Sequence, residues 1–116
     1  MITKVDTLFI YVEDEKRANK FYKETLGLKE FLWQGQPIGY EINGIYLMFL
    51  KERPQGETQG GTEVCFFSDD INKDYEQLKA KGVKFLLPPT QQEWGGILAK
   101  FLDSEGNALY LTHYQF

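Results

Sequence analysis

The stretch VDTLFIYVEDEKRANKFYKETLGL, residues 5–28, contains the signals of one strand, one turn, one helix and one helix stop. Residues 5–12 are almost all apolar, with many β-branched and aromatic types, which predicts a buried strand. Asp14 is a typical N-cap residue, and Gly27 can take the left-handed conformation that ends a helix. Between them, apolar residues recur near helical spacing, at Ala18, Phe21, Tyr22 and Leu26.

The same order of signals returns in TEVCFFSDDINKDYEQLKAKGV, residues 62–83. Here Asp69 or Asp70 is the predicted cap and Gly82 the predicted stop, with an apolar stripe formed by Ile71, Tyr75 and Leu78. Corresponding positions are 56 residues apart in three pairs, namely Thr7 and Glu63, Asp14 and Asp70, and Tyr22 and Leu78. A match of this kind indicates an internal duplication.

Three strand-like segments follow each glycine stop, so each half is predicted to be a βαβββ unit. We expect repeat one at about 3–52, a polar linker RPQGETQGG at 53–61, and repeat two at about 62–114. A chain of 116 residues has the usual size of a single domain. The segments are KEFLWQ, IGYEING and IYLMFL, then KFLLPP, GILAKFLD and NALYLTHY, with tight hairpins expected at Asn43 and Ser104.

Composition excludes several classes of protein. The formal charge is −4 and lysines alternate with glutamates, whereas nucleic-acid binding needs a clustered basic face. The chain has no apolar run long enough to cross a membrane, and its first residues do not resemble a secretory signal, so we expect a cytoplasmic protein. The single cysteine, Cys65, cannot form an internal disulfide and is expected to serve packing.

Strand alternation divides the predicted strands into two faces. If Ile10 and Val12 pack under a helix, the residues that alternate with them along the strand point to the opposite face. That face then carries Thr7, Phe9, Tyr11, Tyr46, Met48 and Leu50 in the first half, and Glu63, Cys65, Phe67, Tyr110 and Thr112 in the second. Because it is largely apolar, we expect it to hold a ligand or to be covered by another chain.

The doubled unit, with FYKETLGL at 21–28 and FLDSEGNALYL at 101–111, resembles the vicinal oxygen chelate superfamily. That superfamily includes glyoxalase I, the bleomycin resistance proteins and the extradiol dioxygenases. The resemblance covers nearly the whole chain. It implies an α+β fold, in which two repeats form a curved, cup-like mixed sheet with helices outside and a ligand pocket inside. It also implies a homodimer, since relatives cover their sheet edges in this way.

Metal-dependent members of that superfamily carry ligands at four positions, which correspond here to Thr7, Met48, Glu63 and Tyr110. Only Glu63 is an ordinary ligand type, and catalytic zinc, nickel and iron sites are built from imidazole, thiolate and carboxylate. The only histidine, His113, is expected at the outer side of the last strand, partly exposed and without a ligand role. We therefore predict no metal site, and we expect no cofactor.

The favoured function is binding of a small organic molecule, aromatic or cationic, in a ring-lined cup, as in the bleomycin resistance proteins. Whether the chain is also an enzyme stays open, because Glu63 could act as a general base with a tyrosine supporting the oxyanion. A side-chain-filled core or a purely structural domain are the remaining alternatives. The predicted ligand-contacting residues are Thr7, Phe9, Tyr11, Trp33, Tyr46, Met48, Glu63, Phe67, Trp94, Tyr110 and Thr112.

Overall fold

A computed structural model describes residues 5–51 and 64–115. The chain divides into two units, residues 1–59 and 60–116, and each is considered by itself. The predicted linker at 53–61 and Glu63 lie outside the described residues.

The first unit has the predicted order of elements, strand, helix and three strands. Its sheet has the strand order β1-β4-β3-β2, with β1 and β4 parallel and the other neighbours antiparallel. A π-helical segment, Lys20–Thr25, continues the helix. The elements are β1 Thr7–Tyr11, α1 Glu15–Asn19, β2 Lys29–Trp33, β3 Gln36–Ile42 and β4 Ile45–Leu50.

The second unit repeats this topology. Its sheet has the order β5-β8-β7-β6, again with one parallel pair, β5 and β8, and two antiparallel pairs. The predicted α+β class with two βαβββ repeats is therefore confirmed. The elements are β5 Val64–Phe67, α2 Ile71–Ala80, β6 Phe85–Gln91, β7 Ile97–Leu102 and β8 Ala108–His113.

Both helices begin at the predicted caps. The carboxylate of Asp14 accepts a hydrogen bond from the backbone N–H of Arg17 at 3.1 Å, and that of Asp70 accepts one from Lys73 at 3.2 Å. Each bond satisfies one of the N–H groups that the first helical turn leaves without a partner. Of the two candidates in the second repeat, Asp70 is the cap.

Both helices end at the predicted glycines, but the two endings differ. Gly27 and Gly82 have positive φ angles of 70° and 91°. The equivalent buried residues Tyr22 and Leu78 precede their glycines by five and four positions, so the first helix holds one residue more. The π-helical segment 20–25 accommodates this residue in a wider turn.

The helix of each unit packs on one face of its sheet. Tyr22 is fully buried, and its ring centroid lies 5.4 Å from that of Phe49 and 6.1 Å from that of Tyr40. In the second unit, Tyr75 of α2 contacts Phe85, whose ring lies 5.3 Å from that of Phe101. The buried apolar residues are Ile10, Val12, Ala18, Tyr22, Tyr40 and Leu47, then Val64, Ile71, Leu78, Val83, Ala99, Phe101, Leu109 and Leu111.

The two predicted hairpins have different lengths. Asn43 and Gly44 form a two-residue turn between β3 and β4, both with positive φ, as this sequence predicts. The connection at Ser104 is longer than expected, because five residues, 103–107, separate β7 from β8. The buried carboxylate of Asp103 organises this loop by accepting hydrogen bonds from its backbone.

Candidate functional site

Each sheet has one face covered by its helix and one face that is not, which we call the open face. In β1, Ile10 is 5% exposed, whereas its neighbour Phe9 is 52% exposed. In β5, Val64 is 7% exposed and Phe67 is 51% exposed. The alternation predicted from the sequence is confirmed in both strands. The open faces therefore carry the candidate site residues.

Strand register places four residues in a row across the open face of the first sheet. Thr7 pairs with Tyr46, Tyr46 with Glu41, and Glu41 with Lys29. Phe31 lies on the same face of β2, with its ring centroid 4.6 Å from that of Tyr46. This part of the face combines two rings with one carboxylate and one ammonium group.

The neighbouring row of the first open face is partly filled by a side chain. Phe9 pairs with Met48, and Phe31 pairs with Gly39. A Cβ atom on Gly39 would lie 2.6 Å from the carbonyl oxygen of Leu47 and 3.1 Å from Cγ of Met48. The Met48 side chain thus lies beside Gly39, in space that a larger residue would take.

The open face of the second sheet has two comparable rows. In one row, Cys65 pairs with Tyr110, Tyr110 with Lys100, and Lys100 with Leu87. The Nζ atom of Lys100 lies over the Tyr110 ring, 5.4 Å from its centroid, which is cation–π distance. The second row comprises Phe67, Thr112, Leu98 and Thr90.

Two of these charged residues, Glu41 and Lys100, were not predicted. The sequence argument assigned faces only to the first and last strand of each repeat, and so left Glu63 as the one charge of the site. Glu41 lies in β3 and Lys100 in β7, the strands that were not assigned. The same alternation rule, started from buried Tyr40 and Ala99, places both on the open faces.

Cys65 is exposed, so the expectation that it serves packing was wrong. It follows buried Val64 in β5 and therefore points to the open face. Trp33 and Trp94, two of the predicted ligand-contacting residues, are 61% and 51% exposed. Trp33 ends β2, whereas the Trp94 ring lies against Gly96 in the loop between β6 and β7.

In the second unit, aromatic rings from three places form a cluster: the end of β5, the end of β8 and the loop between β6 and β7. The Phe67 ring stacks on His113 at 5.7 Å and meets Tyr114 edge-on at 5.1 Å. The Trp94 ring lies 6.3 Å from Tyr114. His113 is half-buried and, by alternation, lies on the same side of β8 as buried Leu109 and Leu111, as expected, and its ring contacts Phe67 where β5 and β8 end.

His113 is also held by the backbone. Its Nδ1 atom lies 2.7 Å from the carbonyl oxygen of Ser68. Since a carbonyl only accepts hydrogen bonds, Nδ1 carries a proton and donates it. The hydroxyl of buried Ser68 in turn donates to the Asp74 carboxylate on α2. These two hydrogen bonds fix the orientation of the His113 imidazole.

The resemblance assigns the metal-ligand positions to Thr7, Met48, Glu63 and Tyr110, and three of these four lie in the described residues. Thr7, Met48 and Tyr110 are half-buried residues of the open faces, and Glu63 lies outside the described residues. Within residues 5–51 and 64–115, no group of three His, Cys, Asp or Glu side chains could hold an ion. A hydroxyl, a thioether and a phenol are poor ligands for a catalytic divalent ion, so no chemical step is derived through one.

Comparison with known proteins identifies the family. The Glyoxalase/Bleomycin resistance protein/Dioxygenase superfamily matches residues 4–111, and the chain belongs to it. The chain is 31% identical to the uncharacterised protein YetH of Bacillus subtilis strain 168, over 96% of this chain and 98% of that protein. The resemblance stated from the sequence is therefore confirmed.

Solved structures of the same superfamily have the same fold. A superfamily member from Sphaerobacter thermophilus is 26% identical, with a TM-score of 0.78 over 97% of this chain and 98% of that one. Lactoylglutathione lyase from Agrobacterium tumefaciens gives the same TM-score at 17% identity, over 97% and 95% of the two chains, which shows a shared fold only. Among the described helices, none is long and apolar enough to cross a membrane.

Proposed function

We propose that this chain binds a small, flat organic molecule, aromatic or cationic, without a metal ion or other cofactor. The observation that carries the proposal is the exposure of large rings on both open faces, with Phe9 and Phe67 each about half exposed. Rings exposed on a sheet face lose contact with water when a flat ligand stacks on them, and each such contact contributes roughly 0.5–1.5 kcal/mol beyond area burial. Membership of the superfamily supports the same reading.

The donor types support binding without a metal ion. Thr7, Met48 and Tyr110 cannot replace the imidazole and carboxylate ligands that hold a catalytic ion, so Glu63 would be the only strong ligand of the four. In the proposed site Glu63 has a different role. Its carboxylate attracts a cationic ligand, which also gains cation–π contact with the rings of the open face.

The proposal can be tested by dye binding to the full chain. The probes are acridine orange, a planar cation, and N-phenyl-1-naphthylamine, an uncharged aromatic molecule. We expect saturable binding of at least one dye in equilibrium dialysis and a raised Tm followed by circular dichroism, since a ligand that prefers the folded state stabilises it. Phe9→Ala and Phe67→Ala should each weaken binding by about 5–10-fold, corresponding to ~1 kcal/mol or slightly more per ring.

Val5→Ala is the control, because Val5 is 60% exposed but precedes β1. Equal effects of Phe9→Ala and Val5→Ala would argue against a ligand site on the open face. Glu63→Gln should weaken binding of acridine orange while leaving the uncharged dye unaffected. Failure of the wild-type chain to bind either dye would favour a side-chain-filled core.

The metal part of the proposal needs its own measurement. Elemental analysis of the purified protein should find no stoichiometric zinc, nickel, iron or manganese, and dye binding should survive treatment with EDTA. One tightly held equivalent of metal, with dye binding lost on its removal, would contradict the proposal and would favour a metal-dependent enzyme instead.

A further inference from the structure

Lys100 occupies an unusual place for a lysine. It lies in the middle of β7, which has neighbours on both sides, and it points to the open face of the second sheet. Its side chain is half-buried, whereas Lys79 and Lys84 of the same unit are exposed. A lysine usually keeps its ammonium group in water, so this position calls for a physical explanation.

Among the described residues, the same-face neighbours of Lys100 in the sheet carry no charge. Its cross-strand partners are Tyr110 and Leu87, and the adjacent open-face residues of β7 are Leu98 and Leu102. The Tyr110 ring lies 5.4 Å from Nζ and offers cation–π attraction, but it carries no negative charge to pair with the ammonium group.

The charged pair on the other open face is different. Glu41 of β3 lies directly opposite Lys29 of β2 in the register, so each has an opposite charge as its cross-strand neighbour. Lys100 has no such neighbour in its row. In the first unit, Lys23 pairs with Glu30 at 2.7 Å and Lys51 pairs with Glu15 at 2.8 Å.

We propose that Lys100 binds an acidic group of the ligand, so that the ligand is an aromatic carboxylic or sulfonic acid. This inference rests on the proposed function and narrows it to the aromatic class. The ammonium group donates charge-assisted hydrogen bonds to the acid, while the rings of Tyr110 and Phe67 contact the aromatic part. Tyr110 holds the lysine side chain in place, and the hydroxyl of Thr112, the next open-face residue of β8, is a second donor.

A pair of dyes tests this assignment, because they share a ring system and differ in one acidic group. The first is 8-anilino-1-naphthalenesulfonate and the second is N-phenyl-1-naphthylamine, which lacks the sulfonate. Both fluoresce when they leave water. For Lys100→Met we expect the affinity for the sulfonate to fall about 10-fold, the factor for one charge-assisted hydrogen bond of moderate strength. The affinity for the uncharged dye should change by less than about twofold, since the rings are unaltered.

The chain offers a closely matched control. Lys79 of α2 also lies over a tyrosine ring, with Nζ 5.5 Å from the centroid of Tyr75, but it is exposed on the helix. Lys79→Met removes the same charge and the same kind of contact, and should alter neither affinity. Lys100→Arg keeps a positive donor and should retain most of the preference for the sulfonate.

Three outcomes would overturn the inference. If both dyes bind but Lys100→Met leaves their affinity ratio unchanged, Lys100 is neutralised within the protein, for example by Glu63, and the site stands without an acid-binding group. If Lys79→Met has the same effect as Lys100→Met, the sulfonate responds only to net charge. If the wild-type chain binds neither dye nor acridine orange, the proposed function fails together with this inference.

Discussion

Replacement of Asp103 by alanine should destabilise the second unit strongly. The Asp103 carboxylate is 7% exposed and accepts three hydrogen bonds within the loop between β7 and β8. Its Oδ1 atom lies 2.8 Å from the backbone nitrogen of Glu105 and 2.7 Å from that of Asn107, and its Oδ2 atom lies 2.9 Å from Nδ2 of Asn107. One side chain thus organises the whole connection.

The magnitude follows from the fate of these three donors. A hydrogen bond to a charged group contributes about 1.5–3 kcal/mol, and a buried donor left without a partner costs a similar amount. Glu105 and Asn107 are half-buried, so water can partly replace the carboxylate. We therefore expect Asp103→Ala to lower the free energy of unfolding by about 2–4 kcal/mol.

Urea unfolding of the full chain measures this effect. The chain has two tryptophans, Trp33 in the first unit and Trp94 in the second. In a Trp33→Phe background, fluorescence therefore reports on the second unit. Asp103→Asn keeps one carbonyl oxygen for the backbone donors but loses the charge, so its effect should be about half as large. Ser104→Ala, in the same loop, should change stability by less than about 0.5 kcal/mol.

If Asp103→Ala were no more destabilising than Ser104→Ala, the carboxylate would not be what holds the loop. If Asp103→Asn and Asp103→Ala were equally damaging, the negative charge would be essential and the carbonyl oxygen alone would contribute little. The first result would refute the assignment of the three bonds to the stability of this connection, and the second would refute the expected half effect of Asp103→Asn.

Two further predictions concern the first unit. Gly39→Ala should destabilise this unit by roughly 2 kcal/mol in a Trp94→Phe background, because the added Cβ would lie 2.6 Å from the backbone oxygen of Leu47. A neutral effect would show that β3 and β4 can move apart at little cost. Burial and, secondarily, the charge of Glu30 raise the pKa of Tyr40 to about 12. The protonated phenol therefore contributes its full stability below pH 10, and this contribution is lost as the pH rises towards 12. After solvent screening, we expect the free energy of unfolding to fall by about 1–2 kcal/mol over that range in urea titrations. Tyr40→Phe has no phenol to ionise and should not show this loss.

The features that the sequence predicted correctly depend on local signals. Asp14 and Asp70 cap helices because a short carboxylate can reach the backbone N–H three residues ahead. Gly27 and Gly82 end helices because only glycine takes positive φ without steric cost. Strand alternation needs one buried residue as a reference, and Ile10 supplied it.

The features that were missed depend on distant contacts or on assignments that were not made. The stacking of Phe67 on His113, and the bond from His113 to Ser68, join residues 45 or more positions apart, which no local pattern specifies. The π-helical segment, by contrast, could have been found. Corresponding caps are 56 residues apart and the stop glycines only 55, so the first helix must accommodate one extra residue.

The duplication explains the scaffold but not the site. Phe9 and Cys65 are 56 positions apart, and they pair with Met48 and Tyr110, which are therefore equivalent. Beside Met48 lies Gly39, whose missing side chain leaves space that Met48 occupies. Beside Tyr110 lies Lys100 instead. Equivalent backbone positions thus carry a filled apolar surface in one repeat and a cation on a ring in the other. Because the backbone repeats and these side chains do not, the two open faces differ in chemistry although their strands correspond.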